Sequence, residues 1–576
     1  MTKSRGAAPP RGARTDPRVD AAIAEHGRSP EAILAILREI QARNCGYLDA
    51  GLLGATADAV GTSDARVYSV ASFYSRLSVR RRRPRQFWLC DGPICRLKGA
   101  AAVHAAAAAI CGEEWSVERA SCLGLCDRAP AALLGLEPCG PVAAGDVASV
   151  LAGRRGDMPD YGEARAGETR VALARLGRID PDSIESALGA GAYRALGAAL
   201  RSPSAAVLDA VERAGLRGCG GAGFPAGRKW RMVRDARGLR KYVVCNADES
   251  EPGAFKDRVL MDGDPHLLLE GMALAAYAVG AGHGMIYIRG EYDWIAERLE
   301  RAVAQAEETG WLGDDIRGSG FSFRVQVHRG AGAYVCGEES ALLSSLEGGR
   351  GEPRVRPPYP TTRGYRGQPT VVNNVETLCQ VPAIVEHGPQ WFRSRGTPGS
   401  PGTKIFALTG CIDRPGVFEA PLGITLRRIV EEFSGGLTAG SSFKAALTGG
   451  AAGSFVPASL MDVPIDFDSG KNGVMLGCGP IVVLDESVSI PDFLASLLGF
   501  FEKESCGKCT PCREGTREAR RLSERLARGG AAPGAIGELE RLARQMHLTS
   551  LCGLGQSVAL PVESAVRYFA AEFHGG

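Results

Sequence analysis

The chain has 576 residues, of which 45% are hydrophobic and 23% are charged, so wholesale disorder is excluded. Its 68 Lys and Arg residues nearly balance 65 Asp and Glu residues, which excludes the strong basic field that drives nucleic-acid binding. The length predicts roughly three to five domains, and the 17 cysteines make thiol spacing the most informative feature of the composition.

The chain begins with an Arg-rich, acid-poor segment in which Pro9 and Pro10 interrupt any amphipathic helix. Residues 1–15 are therefore predicted to be a disordered tail in preference to a transit peptide. Residues 16–80 show helical periodicity with Gly turns and are predicted to form a helical bundle. The basic run at 80–85 is expected to be a solvated loop or a rim that faces a partner.

Neither a secretory signal nor a membrane span is evident in the sequence. The longest apolar stretch, 267–288, contains Glu270, His283 and several glycines, and it is predicted to be a buried helix followed by a strand. We therefore expect a cytoplasmic protein without direct membrane insertion. Thiols stay reduced in that compartment, so clustered cysteines indicate metal binding in preference to disulfides.

The segment at 81–152 alternates a strand, an Ala-rich helix and a second strand before a cysteine loop, which predicts a small α/β domain. Its cysteines form C-x4-C and C-x3-C pairs at the ends of two predicted strands, so both pairs can meet at one sheet edge. Four thiolates suit a 2Fe-2S cluster with two ligands per iron, although zinc tolerates the same spacing. The predicted ligands are Cys90, Cys95, Cys122 and Cys126.

A polar stretch at 153–167 is predicted to be a linker, and a glycine-punctuated α/β domain follows at 168–400. Within it, Gly218, Gly220 and Gly223 match the pattern G-x-G-x-x-G. A helix, not a strand, is predicted just before this motif, which disfavours an ordinary Rossmann site. Bare backbone can still wrap a phosphate there, and a purely structural glycine turn is the alternative.

Two further loops in this domain concentrate carboxylates. Residues 244–253 follow an apolar strand and contain one amide and three carboxylates, and residues 330–340 combine glycines, Tyr334 and paired glutamates. Carboxylates clustered at a strand end are costly unless they are solvated or engaged by a ligand, and hydroxyl or ring N–H groups of ribose or flavin are suitable partners. Instead of binding ribose or flavin, these carboxylates could also be metal ligands or general acid/base residues.

The rest of the chain divides into a mostly β segment at 401–489, with predicted strands at 403–408 and 473–476, and a helical segment at 490–576. The helical segment contains C-x2-C-x2-C, with a further cysteine 40 residues beyond. Three thiolates on one turn and a distant fourth form the ligand set of a 4Fe-4S cluster, whereas tetrahedral zinc commonly uses pairs of C-x2-C knuckles. The predicted ligands are Cys506, Cys509, Cys512 and Cys552. The nine dispersed cysteines are interpreted as small buried hydrophobes.

These motifs together resemble the NADH-oxidising flavoprotein subunit of respiratory complex I and its diaphorase relatives. The resemblance runs from about residue 168 to the C-terminus and rests on 215–230, 245–257, 332–340, 373–377 and 506–512. Residues 16–150, with Phe73-Tyr74 and the first cysteine group, resemble the separate thioredoxin-like 2Fe-2S subunit of that complex. The chain therefore resembles a fusion of the two subunits.

The resemblance implies a multidomain α/β protein. Its parts would be the N-terminal helical bundle, a thioredoxin-like 2Fe-2S domain, a Rossmann-like FMN/NAD domain, a ubiquitin-like (SLBB-type) β domain at 401–489 and a C-terminal helical bundle with the 4Fe-4S cluster. The implied FMN residues are Gly218, Gly220, Gly223, Lys229, Asn246, Asp248, Glu249, Tyr334, Gly337, Glu338, Asn373, Asn374 and Thr377.

The implied NAD residues are Phe224, Glu251, Glu339, Arg356 and Tyr359, with hydride transfer near Phe224 and Glu339 and no covalent catalyst. Three positions depart from the complex I pattern: Cys219 replaces the usual Arg, Arg356 the usual Lys, and Tyr359 the usual Phe. NAD exchanges electrons as hydride, iron–sulfur clusters exchange them singly, and a flavin does both. The implied activity is therefore electron transfer between NAD and a partner, with NAD preferred over NADP because clustered carboxylates repel a 2′-phosphate.

No molybdopterin, nickel or quinone motif is evident in the chain, so a different subunit must handle the second substrate. The fused arrangement most resembles the β subunit of an NAD-dependent formate dehydrogenase. Its partner would be a large molybdenum- or tungsten-pterin α subunit with further iron–sulfur clusters. The alternatives are the diaphorase subunit of an NAD-reducing nickel–iron hydrogenase, a fused complex I module and, in a different class, a zinc-stabilised assembly or scaffold protein.

Overall fold

The computed structural model describes residues 14–438, 440–529 and 533–573. The predicted tail at 1–15 therefore lies almost entirely outside the described residues. Arg14, at its end, is described and forms ion pairs with Asp58 and Asp64 on the first domain.

The first domain is the predicted helical bundle, and its helix boundaries follow capping residues. The side chains of Asp16, Asp49 and Ser63 accept backbone N–H groups at the starts of three helices. Gly27 and Gly61, both with positive φ, end two of them. The helices are α1 (Pro17–His26), α2 (Ile33–Arg43), α3 (Ala50–Val60) and α4 (Asp64–Ala71).

The second domain has the predicted order of strands and helices. Its elements are β1 (Arg85–Cys90), α5 (Pro93–Leu97), α6 (Ala100–Ile110), β2 (Trp115–Ala120), β3 (Ala132–Leu134), β4 (Glu137–Cys139) and α7 (Val147–Leu151). The strands form one sheet in the order β2-β1-β3-β4, in which β1 and β2 are parallel and the other pairs antiparallel. Because β1 and β2 run side by side, the loops that follow them carry both cysteine pairs to one edge.

The third and largest domain has four parallel strands in the order β7-β6-β5-β8. They are β5 (Tyr242–Ala247), β6 (His283–Ile288), β7 (Arg324–Arg329) and β8 (Thr370–Asn374). The helices are α8 (Ile184–Gly189), α9 (Arg194–Ala199), α10 (Ser204–Ala214), α11 (Ala226–Asp235), α12 (Lys256–Gly263), α13 (Pro265–Val279), α14 (Asp293–Glu308), α15 (Glu339–Leu346), α16 (Pro360–Arg363), α17 (Val375–Cys379), α18 (Val381–His387) and α19 (Pro389–Arg393). Buried parallel strands bring their carboxyl ends to one edge, where ligand-binding loops collect in open α/β sheets.

The fourth domain is a five-stranded mixed sheet in the order β10-β9-β13-β11-β12. Its elements are β9 (Thr403–Gly410), β10 (Gly416–Pro421), α20 (Leu426–Arg428) continued by a π-helical turn (Ile429–Phe433), β11 (Phe443–Thr448), β12 (Ser454–Pro457) and β13 (Pro480–Asp485). The predicted strand at 473–476 is wrong, because Val474 and Leu476 are buried in the apolar core of this domain without pairing to a neighbour strand. The strand begins later, at Pro480.

The last domain is the predicted helical bundle. Its helices are α21 (Ile490–Glu504), α22 (Thr510–Ala527), α23 (Ala535–Thr549), α24 (Gly553–Gln556) and α25 (Ala559–Phe573). The cysteine run lies between α21 and α22 and enters the first turn of α22, whereas Cys552 immediately precedes α24. None of the described helices is long and apolar enough to cross a membrane.

The N-terminal helical bundle packs on the third domain through a separate apolar cluster, and the other four domains share one continuous apolar core. It includes Cys122 of the second domain, Val243 of the third, Ile405 of the fourth and Phe500 of the fifth. The predicted multidomain α/β fold is therefore confirmed, and its domains are joined by buried apolar contacts.

The predicted linker at 153–167 lies along two domains. The Tyr161 hydroxyl donates to Asp127 at 2.5 Å. Arg165 is 7% exposed and donates to the backbone carbonyl of Arg414 at 3.1 Å. This segment is therefore a mostly exposed strap that is attached to the second domain through Tyr161 and to the fourth through buried Arg165.

Candidate functional site

The largest cleft that the predicted site residues line lies at the carboxyl ends of β5 and β8. It has a volume of about 250 Å³. Asn246 and Asn374 are paired in register on these adjacent parallel strands, so both side chains reach the same edge. Nine residues predicted from the sequence line this cleft: Gly220, Asn246, Asp248, Glu249, Glu251, Tyr334, Gly337, Glu338 and Asn374.

Two glutamates in the cleft, buried Glu249 and half-buried Glu251, are held by donors at fixed positions. Glu249 accepts the backbone N–H of Asp257 at 2.9 Å, and Glu251 accepts the Tyr334 hydroxyl at 2.6 Å. Burial raises the pKa of each carboxyl to about 7, and the charge of Asp257 adds to the rise for Glu249. Burial likewise raises the pKa of Asp248 well above its usual range. Near neutral pH the carboxyl groups of Glu249 and Glu251 are therefore partly protonated and partly charged.

The loop that carries Tyr334 is held from two sides. The backbone N–H of Ser75, from the helical bundle, donates to the Gly332 carbonyl at 3.0 Å. On the other side the backbone N–H of Tyr334 donates to the Glu504 carboxylate, at the end of α21, at 2.8 Å. The first and last domains therefore fix the position of a residue in a cleft of the third domain.

A buried ion network forms the floor beneath the cleft. Lys256 contacts Asp257 at 2.7 Å and Glu376 at 2.9 Å, and Lys404 of the β domain also pairs with Glu376. All four side chains are nearly or wholly buried. Two ammonium and two carboxylate groups balance, which is the condition under which buried charges are tolerated. Asp257 also accepts the amide of Asn374 at 2.6 Å, so the network orients a residue of the cleft wall.

The glycine-rich loop approaches the cleft with bare backbone. Gly221 and Gly223 have φ values of +117° and +62°, conformations that favour glycine. A Cβ atom on Gly220 would lie 3.0 Å from the Cβ atom of Asn374, a contact tighter than side chains normally make. The loop is closed by the Gly218 N–H, which donates to the Phe224 carbonyl at 2.9 Å.

The other predicted flavin residues lie behind the cleft wall. Lys229 donates to Glu339 at 3.2 Å, Asn373 accepts the indole N–H of Trp230, and the Thr377 hydroxyl accepts the Cys219 N–H at 2.8 Å. Gly218 and Gly223 are also absent from the lining of the cleft.

The predicted NAD residues other than Glu251 lie outside the cleft lining. Phe224 is 40% exposed and Tyr359 is 49% exposed. Arg356 lies 3.5 Å from Glu338 and 3.7 Å from Glu339, so it links the paired glutamates. Exposed aromatic rings, a cation and carboxylates are groups suited to binding a planar, hydroxyl-rich ligand.

The first cysteine group converges as predicted. All four thiols are buried, and the Cys122 and Cys126 sulfurs lie 3.8 Å apart. The Cys126 sulfur accepts the backbone N–H of Gly253 at 3.3 Å, and Arg289 donates to the Cys122 carbonyl at 2.6 Å. Gly253 ends the same acidic loop that lines the cleft, so these thiols lie against the acidic loop of the third domain.

The second cysteine group also converges. Cys506, Cys509, Cys512 and Cys552 line one small cavity together with Val335 and Leu554. Those two apolar residues line the larger cleft as well. The cleft and the four thiols are therefore separated by two side chains.

Several lining residues were not predicted. They are Ser250, Asp257, Val335, Cys478, Gly553 and Leu554. Cys478 precedes β13 of the β domain, and only tertiary contact brings it to the cleft. For Gly553 and Leu554 the sequence did carry a signal, since they follow the ligand Cys552 directly.

The residues present fit the groups that the sequence implies. The Oε1 atom of Glu338 is buried without a hydrogen-bond partner among the described residues, although Arg356 approaches to 3.5 Å. A ligand hydroxyl in the cleft can supply that donor. Each cysteine group offers four thiols, and those of the second group line one cavity; four thiols are the donor set of an iron–sulfur cluster.

Three protein families match separate parts of the chain. Residues 19–155 match the thioredoxin-like [2Fe-2S] ferredoxin family, residues 211–383 the Nuo51 FMN-binding domain, and residues 492–575 the NADH-ubiquinone oxidoreductase-F iron-sulfur binding region. These matches confirm an FMN-binding domain, a 2Fe-2S domain and a 4Fe-4S region, with NAD as substrate.

Individual proteins match over most of their length. An NADH-quinone oxidoreductase subunit of Rhizobium meliloti (strain 1021) is 47% identical over 66% of this chain and 91% of its own. NADP-reducing hydrogenase subunit HndC of Solidesulfovibrio fructosivorans is 43% identical over 70% of this chain and 83% of its own. A crystal structure of NAD+-reducing [NiFe]-hydrogenase in the H2-reduced state superposes with a TM-score of 0.82 at 33% identity, covering 95% of this chain and 92% of that one.

Proposed function

The chain belongs to the family of FMN-binding subunits of NADH-quinone oxidoreductase, and from this premise we propose that it is the NAD+-reducing subunit of a formate dehydrogenase. Membership of this family makes the chain an NAD(H)-linked FMN flavoprotein that transfers electrons. The formate dehydrogenase proposal adds a partner: a large molybdenum- or tungsten-pterin subunit that oxidises formate. It also places the complex in the cytoplasm, which the 17 free thiols support.

The observation that carries the proposal is that one cleft shares bordering residues with the cavities of both cysteine groups. Val335 and Leu554 border the cleft and the second cysteine group. Ser250 and Tyr334 border the cleft and a small polar cavity that Cys122 also lines. Electrons that a partner delivers to either group therefore have a short route to the cleft within this chain.

We assign the cleft and its supporting wall to FMN. The proposed residues are Gly218, Gly220, Gly223, Lys229, Asn246, Asp248, Glu249, Tyr334, Gly337, Glu338, Asn373, Asn374 and Thr377. When bound, FMN can exchange a hydride with NAD and single electrons with iron–sulfur clusters. The chain's own part is to orient: Asn246 is fixed by its bond to the Gly337 carbonyl at 2.8 Å, and Tyr334 by Glu251.

We assign the exposed surface beside the cleft, together with Glu251 of the cleft lining, to NAD. The proposed residues are Phe224, Glu251, Glu339, Arg356 and Tyr359. Phe224 and Tyr359 offer exposed faces for planar rings, and the carboxylates offer acceptors for hydroxyl groups. The same carboxylates would repel a 2′-phosphate, so NAD is the proposed substrate in preference to NADP.

The metal ligands proposed are the two complete cysteine groups. Cys90, Cys95, Cys122 and Cys126 would hold the 2Fe-2S cluster, and Cys506, Cys509, Cys512 and Cys552 the 4Fe-4S cluster. A zinc-stabilised scaffold is the competing function. Metal and flavin analysis of the purified chain separates the two, because a colourless, zinc-loaded protein without flavin contradicts the enzyme proposal.

The diaphorase subunit of an NAD+-reducing nickel–iron hydrogenase is the second candidate. It is favoured by the structural match, which covers 95% of this chain. The deciding experiment is to purify the native complex through this chain, measure molybdenum, tungsten and nickel, and assay NAD+ reduction with formate and with hydrogen. We expect molybdenum or tungsten and formate-dependent reduction. Nickel with hydrogen-dependent reduction would replace the first proposal by the second.

A further inference from the structure

A second cavity, remote from the flavin cleft, lies where the first three domains meet. Its volume is about 270 Å³. The helical bundle contributes Arg38 and Arg76, the thioredoxin-like domain contributes Trp88 and Leu136, and the FMN domain contributes Asp293. None of these residues belongs to the proposed electron-transfer site.

Two donors at this cavity lack acceptors. The Nη1 atom of Arg76 and the indole nitrogen of Trp88 are buried and have no hydrogen-bond partner in the described part of the chain. Trp88 itself is 3% exposed. Its ring is contacted by two guanidinium groups, those of Arg76 at 5.0 Å and Arg82 at 4.8 Å. Native proteins rarely leave such donors unsatisfied, so an acceptor from outside the chain is indicated.

Among the described residues Arg76 has no ion-pair partner, because Glu291 pairs with Arg289 at 3.0 Å, so the charge of Arg76 is the uncompensated one at this cavity. Arg38 is already paired with Asp293, and Arg82 is paired with Glu118 at 3.3 Å. Burial lowers the pKa of Arg76, Glu291 and Asp293 raise it in part, and the like charges of Arg38 and Arg82 lower it further. Water could accept both N–H groups, but it would leave this excess positive charge uncompensated.

We propose that this cavity binds a small oxyanion, a phosphate or a carboxylate, whose oxygens accept hydrogen bonds from Arg76 and Trp88. An oxyanion supplies both missing features, acceptors for two N–H groups and a negative charge among guanidiniums. The basic run at 80–85 would take part in this site, because Arg82 contacts the Trp88 ring and Pro84 lines the cavity.

The cavity also adjoins the loop that carries Tyr334. Ala331 lines the cavity, and its carbonyl accepts the backbone N–H of Arg76 at 3.0 Å. The neighbouring bond joins Ser75 to Gly332. Bound oxyanion therefore stabilises the segment at 330–334 and slows its amide exchange.

The test is calorimetric titration of the purified, cofactor-loaded chain with inorganic phosphate and, separately, with succinate. We expect one or both to bind. The ligand that binds more tightly shows whether the cavity prefers a phosphate or a carboxylate. Trp88→Phe keeps the ring and removes the N–H donor, so it should weaken binding roughly tenfold or more. Trp115→Phe is the matched control, because that ring lies on the neighbouring strand against Arg85, outside this cavity, and should leave binding unchanged.

Hydrogen exchange of the 330–334 segment gives the second readout. Saturating oxyanion should slow exchange in the wild type and not in the Trp88→Phe variant. The proposal is overturned if neither ligand binds, if Trp88→Phe and Arg76→Gln bind as tightly as the wild type, or if the segment exchanges at the same rate with and without ligand. None of these measurements uses NAD+ reduction with formate or hydrogen. The oxyanion site can therefore be refuted without refuting the proposed function, and the proposed function without refuting the site.

Discussion

Lys404 joins the β domain to the floor of the cleft proposed for FMN, and its replacement by methionine should destabilise the FMN domain strongly. Lys404 and Glu376 are each 0% exposed and form an ion pair across the two domains. Burial raises the pKa of Glu376, but Lys256 and Lys404 outweigh that effect and keep it lowered. The substitution leaves two buried carboxylates facing one ammonium group, and breaking a buried pair in this way costs about 3–5 kcal/mol.

The measurement is thermal unfolding of the holoprotein, followed by the rise of FMN fluorescence on release. For a domain of this size, 1 kcal/mol corresponds to roughly 2–4 °C, so Lys404→Met should lower the transition by about 6–20 °C. Lys471→Met is the matched control in the same domain: that lysine is 80% exposed, lies 3.4 Å from Asp468, and should change the transition little.

A double variant checks the cause. Lys404→Met combined with Glu376→Gln leaves Lys256 and Asp257 as a balanced pair, so much of the lost stability should return. The reasoning is refuted if Lys404→Met is no more costly than Lys471→Met. It is also refuted if the double variant is less stable than Lys404→Met alone.

The site and its surroundings support three further predictions. Cys126→Ser should lower the iron content by about two atoms per chain and abolish the 2Fe-2S electron paramagnetic resonance signal while FMN is retained; unchanged iron would exclude Cys126 as a ligand. Glu251→Gln should raise the ratio of NADP to NAD kcat/KM severalfold, because on the proposed NAD assignment it removes a carboxyl group that is partly charged at neutral pH and would repel a 2′-phosphate, and an unchanged ratio would contradict that role. Glu270, whose pKa burial raises from 4.5 to about 7, binds its proton more tightly when folded. Its contribution to the free energy of unfolding is therefore complete below about pH 4.5, and about 3 kcal/mol of it is lost as pH rises through about 7. Glu270→Gln should make the free energy of unfolding, measured by denaturant titration, depend less on pH. An equally steep pH dependence in the variant would exclude Glu270 as its source.

The features predicted best from the sequence are local ones. The C-x2-C-x2-C run and the C-x4-C and C-x3-C pairs fix thiol positions through short spacing, and both groups converge in the structure. The segment at 473–476 was predicted wrongly because an apolar run has the same composition whether it is paired or not. Here Gly477 adopts a φ of +53° beside Gly449, so the chain turns before the strand begins.

What sequence patterns could not supply is contact between distant segments. Cys478 lines the cleft proposed for FMN although it lies more than 200 residues from the acidic loop beside it. The pairing of Lys404 with Glu376 likewise exists only after two domains dock. A lone cysteine and a lone lysine carry no periodicity or spacing, so nothing in their neighbourhoods predicts these roles.

The strap at 153–167 has a consequence for how the two electron carriers stay together in dilute solution. Separate subunits dissociate as their concentration falls, whereas two modules on one chain meet at an effective concentration set by the connecting segment. Here that segment is held along its course, by Tyr161 on Asp127 and by buried Arg165 on the β domain. Every flavin site is therefore made with its own thioredoxin-like domain in a fixed one-to-one ratio, which neither dilution nor uneven expression can alter.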